Sequence, residues 1–295
     1  MGRCRLGELR AEGRGPDLIA ITGDLAFSGQ AAEYKLVEAW LTEALLPAAG
    51  VGADRLLIVP GNHDVDRSAC RSETIMALEA RLREGDSARI AAVLSDPPQR
   101  KLVHQRYKHY LAFLKRVGVA HPIAPSWSWR TEVRGTGLHI AGLDTAWLAS
   151  EEHVQGRLAL GLSVVNAHIP TPGQWDRDIV IALTHHPLSW LVQRDQSEVR
   201  APLLARAHLH LRGHLHEADY SYTQSPQHRL IELPAGATYA GHGWPMSFQL
   251  IELDGAAGQG RVSLRAWQRD WDAWVSDRTK LPPDGDWTFP LRWAP

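Results

Sequence analysis

Cysteine is nearly missing from this chain: Cys4 and Cys70 are the two in 295 residues. Two thiols make neither a disulfide framework nor a zinc-thiolate cluster, and they fit a reducing, cytoplasmic setting. Long apolar runs are missing too. No charge-free stretch approaches the roughly 18 residues of a membrane span, and the opening MGRCRLGELRAEGRG has no apolar core of a secretory signal. Charge of one sign is not in excess either, since 32 Lys and Arg against 33 Asp and Glu leave a net charge of −1. Without a global basic field, long-range steering of nucleic acid is not expected. No repeat or low-complexity tract interrupts the chain. A hydrophobic content of 44% with 22% charged residues excludes disorder as the main state and allows a sizeable core. Imidazole and indole are what is plentiful: 15 His and 12 Trp stand against 6 Tyr and 4 Phe. Abundant imidazole in a neutral chain directs attention to metal or acid–base chemistry.

The apolar pattern sets the organisation. Residues 17–22 (DLIAIT) and 55–60 (RLLIVP) are short apolar runs of the buried-strand kind. Between them Leu36, Val37, Trp40, Leu41, Ala44 and Leu45 recur at helical spacing, with Pro47 and Gly50 as stop signals. Strand, helix, strand predicts an α/β layer with a partly parallel sheet. Residues 67–117 read as a helical insertion or cap, with helices over 71–84, 87–94 and 99–116 and a break at Asp96-Pro97-Pro98. Its Arg100, Lys101, Arg106, Lys108, Lys115 and Arg116 are expected on a solvated helix face. A hairpin is expected around Gly135-Thr136-Gly137. An apolar strand follows at 178–184. Strands at 207–212, 219–223, 229–233, 248–253 and 261–268 are expected to form a second, mainly antiparallel sheet. Residues 255–295 form a Trp-rich strand and tail, in which Trp267, Trp271, Trp274, Trp287 and Trp293 read as packing anchors. The whole of 1–295 reads as one domain.

Four polar clusters share one placement, each after an apolar strand-like run: Gly23-Asp24, Gly61-Asn62-His63-Asp64, Thr184-His185-His186-Pro187 and Gly213-His214-Leu215-His216. In α/β sheets, ligands gather at the carboxyl ends of strands. Alone, each cluster is an ordinary turn or a satisfied histidine. Together they deliver carboxylate, amide and imidazole donors to successive strand ends. That is the donor set of a borderline divalent metal, and two such metals can ionise a water and neutralise phosphate oxygens. Asp144, after HIAGL, reads as a turn former. His208 and His210 read as positions of a half-buried strand. His104, His109, His121, His139, His153, His168 and His228 have no partner at ligand spacing.

In these blocks, ordered as Gly-Asp, Gly-Asn-His-Asp, a His, then Gly-His-x-His, the sequence resembles the calcineurin-like metallophosphoesterase superfamily. The runs TGDLAFSGQAAEY and VPGNHDVDR look like the bacterial branch that includes class III cyclic-nucleotide phosphodiesterases. The resemblance spans Gly23 to His216. It implies a sandwich of two mixed β-sheets flanked by helices, and two divalent metal ions (Mn, Fe, Zn or Mg). By it, Asp24 would bridge the metals, Asn62, His185 and His214 would complete one site, and His216 would belong to the other. His63 would be the general acid and Asp64 would orient it, with a metal-bridging hydroxide as nucleophile. Arg67, His186 and His242 are candidate substrate contacts. The implied substrate is a small phosphodiester or phosphomonoester, with nucleotides favoured; a nuclease is the alternative enzyme. The family's first block, Asp-x-His, is not in this chain. Residues 6–14 read as the remains of the first helix, so the first strand and two donors of one metal site are expected to be missing. A longer natural chain, one tight metal with a second held by substrate, and a non-catalytic binding or regulatory member are the three readings of that gap.

Overall fold

The computed structural model describes residues 6–291 apart from 12, 85, 152, 172–177, 217–219, 225–228, 239–245 and 282–284. Two layers of β-structure enclose one buried cluster, and helices pack against the layers around a second, larger one. The larger layer is a six-stranded mixed sheet in the order β3-β4-β5-β6-β8-β7. Its strands are β3 (Trp127–Val133), β4 (Thr136–Gly142), β5 (Ile179–Leu183), β6 (Leu209–Arg212), β7 (Ser221–Gln224) and β8 (Arg229–Pro234). β4, β5, β6 and β8 run parallel, and β3 and β7 close the two edges antiparallel. All residues of β5 and β6 are buried; β5 accordingly reads as a continuous apolar run, whereas β6 alternates leucine with a buried His210 and Arg212.

The other layer has two parts. β1 (Ile19–Ile21) pairs parallel with β2 (Leu56–Ile58). β9 (Ser247–Asp254), β10 (Gln259–Gln268), β11 (Ala273–Ser276) and β12 (Asp286–Pro290) form an antiparallel sheet centred on β10. Leu57 and Val59, Ile181, Leu209 and Ile231, and Val262 and Phe289 from these sheets share one buried cluster. The expected sandwich of β-sheets flanked by helices is what the chain forms. The division of strands differs from expectation. β6, β7 and β8 belong to the large mixed sheet, and only β9 and β10 of the anticipated antiparallel set stay in the second layer. Parallel pairing of β6 with β8 is a long-range choice, made because both are buried on both faces, and single-strand periodicity does not report it.

The helices are α1 (Leu6–Ala11), α2 (Ala31–Trp40), α3 (Leu46–Ala49), α4 (Glu73–Glu84), α5 (Ser87–Ser95), α6 (Pro97–His104), α7 (Lys108–Val117), α8 (Leu162–His168) and α9 (Gln193–Arg206). α2 runs through a π-helical turn, Leu41–Leu45, into α3, where Pro47 sits in the first turn. The wider turn accommodates a residue with no N–H to donate. Gly50 ends the run in a left-handed conformation, φ 75°. The inward face of this helix is Tyr34, Val37, Leu41 and Leu45, while Leu36 and Trp40 of the expected stripe face solvent. Asp96 caps α6 and accepts from the Gln99 N–H at 3.3 Å, with both prolines in the first turn. Residues 105–107 tighten into a 3-10 turn that divides the long helix expected over 99–116.

The helices of 67–117 are not a detached cap. Leu78, Leu82, Ile90, Tyr107, Tyr110 and Phe113 join the main cluster with Ile58 and Ala182. Arg106, expected on a solvated face, is 1% exposed. It pairs with Glu79 at 2.6 Å and donates to the Trp147 carbonyl at 2.6 Å. A charge inside a protein needs both a partner and hydrogen bonds, and Trp147, 41 residues from Arg106, is brought to it through space, as Glu79 is from another helix.

The β3–β4 turn falls on Arg134 and Gly135, at φ 50° and 80°, one residue before the expected centre. Two successive positive φ values suit a tight hairpin. Of the tail's tryptophans, Trp267, Trp274 and Trp287 are half-buried. Trp274 packs edge-on against Phe248 and Trp267, and Trp287 lies beside Tyr220 and Phe289. Trp271 is exposed, and Trp293 lies outside the described residues.

Asp144 is a buried acid rather than a surface turn former. Burial pushes its carboxyl up to about 7, against the pull of the Ala146 N–H at 2.7 Å and the Tyr107 hydroxyl at 2.9 Å. Its folded pKa lies above its unfolded value, so the native state holds the proton more tightly. Stability is then fully present below about pH 4 for this group and falls as pH rises towards 7, by at most about 1.4 kcal/mol per unit. Asp144→Asn is expected to flatten that slope in urea denaturation curves taken between pH 4.5 and 7.

Candidate metal centre

The four polar clusters meet at one end of the sandwich because each follows a strand of the parallel sets: Asp24 after β1, Asn62 and His63 after β2, His185 and His186 after β5, His214 and His216 after β6. The backbone there is unusual. Five described non-glycine residues have positive φ, and three of them are Asp24 (58°), His214 (72°) and His216 (54°). Such conformations cost on the order of 1–3 kcal/mol each and persist where the surroundings enforce them. Gly23, at φ 97°, and Gly61 let the strand exits approach: a Cβ on Gly61 would run into the Asp24 carboxylate, and one on Gly23 would stand 2.6 Å from His185 Nδ1.

His185 is the focus. Its Nδ1 lies 2.6 Å from the Thr22 carbonyl, which takes the ring's N–H. Nε2 therefore turns a lone pair inward, 3.0 Å from Asn62 Oδ1, 3.1 Å from His214 Nδ1 and 3.2 Å from Asp24 Oδ2. A carboxylate, an amide oxygen and a second imidazole nitrogen converge within hydrogen-bond distance of one imidazole nitrogen. Donors each about 2.1 Å from a shared cation lie about 3 Å apart, so the residues present fit a divalent metal.

Asp24 and His214 stand in the charge states that bind metal, whereas Asp24 biases His185 toward holding a proton where a cation would sit. Burial pushes the Asp24 carboxyl up, but the His185 imidazole beside it and the His63 N–H, 3.0 Å from Oδ1, hold it well below the usual carboxylate range. Burial pushes His185 down, yet Asp24 and the Thr22 carbonyl outweigh it and raise the ring above its ordinary value. Burial, reinforced by His185, brings His214 down to about 3, and His216 is also lowered by burial. Neutral imidazoles are the form that binds metal. His216, half-buried, feels the charges of Asp24, His185 and His63.

His186 has no exposed surface. Its ring stacks on Trp190 at 5.7 Å and tilts against His214 at 4.5 Å, and burial drives it well below the ordinary imidazole value. Nδ1 meets the Thr145 hydroxyl at 3.1 Å, whereas Nε2 is buried without a hydrogen-bond partner. His185, His186 and His214 each offer a nitrogen within 4.8 Å of the others. The candidate substrate contact His186 thus sits inside the imidazole cluster rather than at the surface.

His63 is held at the rim. Its Nδ1 is 2.8 Å from the Phe27 carbonyl, and the rings of His63 and Phe27 stack at 5.5 Å. Asp64 does not reach His63. It is fully buried and accepts from the N–H groups of Leu25 (3.3 Å), Ala26 (3.0 Å) and Gly61 (2.9 Å) and from the Tyr34 hydroxyl (3.0 Å). It ties the loop that carries His63 to the Asp24 loop. Arg67 opens the 3-10 turn Arg67–Cys70 and is half-buried. His242 lies outside the described residues.

Sequence reasoning missed the support beneath these side chains. His210, taken as a plain strand position, is fully buried. Its Nε2 is 2.9 Å from the Thr184 hydroxyl, which donates to the His186 carbonyl at 2.9 Å. Its Nδ1 faces Glu232 at 3.4 Å, and Glu232 also binds Arg212. His208 is likewise buried, its Nδ1 accepting from the Val180 N–H at 2.9 Å. The one available signal was the x-spacing of His208, His210 and Arg212 on a strand that ends in a ligand motif.

An α/β sandwich presenting carboxylate, amide and imidazole donors at its parallel strand ends is a scaffold that fits a divalent metal. Residues 5–218 match the model of the calcineurin-like phosphoesterases, and the chain belongs to that family. Membership supports a metal-dependent hydrolase of phosphoester bonds. The chain is 19% identical over 264 residues to an uncharacterized metallophosphoesterase-like protein, YydB, of Bacillus subtilis (strain 168), covering 88% of this chain and 53% of that one. It also aligns with the solved Thermus thermophilus sulfate thiohydrolase SoxB in complex with glycerol, at 13% identity and a TM-score of 0.42, over 91% of this chain and 42% of that one. The chain therefore spans about half the length of the proteins it matches. No helix among the described residues is long and apolar enough to cross a membrane.

Proposed function

We propose that the chain hydrolyses a small phosphodiester or phosphomonoester, with nucleotides favoured, at the Asp24–Asn62–His185–His214 centre. The observation that carries this is the convergence of Asp24, Asn62 and His214 on His185 Nε2 beside a rim histidine whose other nitrogen is already engaged. Asp24, Asn62, His185 and His214 would hold one divalent ion, and Asp24 with His216 would contribute to a second. The chemistry supplied by such ions when bound is neutralisation of phosphate oxygens and ionisation of the attacking water.

The chain's own residues do the rest. The Phe27 carbonyl takes the Nδ1 proton of His63, so Nε2 is the nitrogen left to carry a proton to the leaving oxygen. Asp24 fixes the His63 backbone through its N–H, which keeps that ring at the edge of the centre. Asp64 and Tyr34 lock the two loops together underneath. Two cysteines in the chain, with Cys70 buried and free, suit work in the cytoplasm.

Dialysis against a chelator is expected to abolish hydrolysis of an aryl phosphodiester, and Mn, Zn, Fe or Mg to restore it, measured as released phenolate. No turnover with any of these metals would reject the hydrolase reading. Metal retained without turnover would favour a binding or regulatory module, and salt-sensitive binding of single-stranded DNA would favour a nuclease.

A further inference from the structure

Phe27 is 79% exposed, the most exposed of the large hydrophobic residues among those described. Its position is nevertheless fixed. The Ala26 N–H before it is held by Asp64 at 3.0 Å, and its own carbonyl is held by His63. After it, the Ser28 N–H and hydroxyl and the Gln30 N–H all donate to the Glu33 carboxylate, at 3.1, 2.8 and 2.9 Å. Gly29, at φ 70°, lies so close to the next loop that a Cβ there would stand 2.7 Å from the Asp66 nitrogen. A clamped loop therefore presents an aromatic ring to water, where it forgoes hydrophobic burial. The ring sits against His63, the proposed proton donor.

We infer that Phe27 is a specificity-determining residue, a stacking surface for a planar aromatic ring on the leaving group of the substrate, the class to which a nucleoside or aryl ester belongs. The inference rests on the phosphoesterase reading and deepens it. Its geometry is direct: the proton donor must lie on the leaving-group side of the phosphorus, so whatever the leaving oxygen carries lies on the His63 side. Phe27 is stacked on His63 and keeps most of its surface free. A rigid ring with few rotatable bonds gains contact at little entropic cost.

The test compares two methyl phosphodiesters, one with a phenyl and one with a trifluoroethyl leaving group, using metal-loaded wild type, Phe27→Ala and Phe27→Trp. Dividing each variant by wild type cancels the esters' intrinsic reactivities. Phe27→Ala is expected to lower kcat/KM for the phenyl ester about tenfold, mainly through KM, the size expected of one aromatic stacking contact. The trifluoroethyl ester should change less than about twofold on the same reasoning, and Phe27→Trp should restore the phenyl ester. Equal losses on both esters would mean that Phe27 acts through the posture of His63, and no loss on either would mean that the ring faces no substrate; each overturns the inference. Wild type inactive on both esters with every metal overturns the phosphoesterase reading itself, and the stacking surface with it.

Discussion

His63→Ala should lower kcat on an alkyl phosphodiester by about 10²–10⁴-fold, the usual contribution of a positioned proton donor, while bound metal measured by mass spectrometry stays at the wild-type level. The split follows from geometry. His63 binds the Phe27 carbonyl through Nδ1 and is not among the atoms that converge on His185 Nε2. Its removal takes away a proton without taking away a ligand. A second signature separates this from general damage. A 4-nitrophenolate needs no proton to depart, so the loss on a 4-nitrophenyl ester should be much smaller than on the alkyl ester. Equal losses on the two, or a fall in metal content, would remove His63 from the proton-donor role.

Asp64→Ala is expected to give the largest loss of stability. The carboxyl is completely buried, and burial and then the charge of Asp24 push its pKa up. Three N–H groups and the Tyr34 hydroxyl hold it in place. Alanine strands the three N–H groups, while the Tyr34 hydroxyl keeps the residue-64 backbone carbonyl at 3.3 Å. Each unsatisfied group costs about 1–3 kcal/mol, and partial relaxation leaves a net loss of about 3–5 kcal/mol. The same bonds join the Leu25–Ala26 backbone to Gly61, so metal retention should fall with stability. Urea denaturation followed by tryptophan fluorescence checks the first effect and metal analysis the second. A variant within about 1 kcal/mol of wild type that still retains its metal would show that the two loops hold together without this carboxyl.

The polar clusters that meet in the site were legible from sequence because each is short and contiguous and follows an apolar run. Asp24, Asn62, His63, His185, His214 and His216 could all be named from such blocks, and the structure draws the first, second, fourth and fifth of them to a single atom. The fold class was legible for the same reason, from the apolar runs of β1, β2 and β5 and the helix between β1 and β2. What lay beyond reach depended on contacts between distant segments. The ion pair of Arg106 with Glu79 joins different helices, and the Asp144–Tyr107 bond spans 37 residues. The Thr184–His210–Glu232 chain crosses three strands of one sheet. None of these leaves a local pattern, because the partner is chosen by the packing of separate elements.

By itself, then, the sequence determined which donor types stand at the strand ends and in what order, since glycine, carboxylate, amide and imidazole at a strand exit are local chemistry. Only the tertiary structure decided how they are used. Parallel pairing of β1 with β2 and of β5 with β6 brings four strand ends to one place. Backbone held at positive φ aims Asp24 and His214. Burial sets their charge: with little water to solvate protons or cations, the acceptors around His185 must find a positive charge among themselves or from a metal.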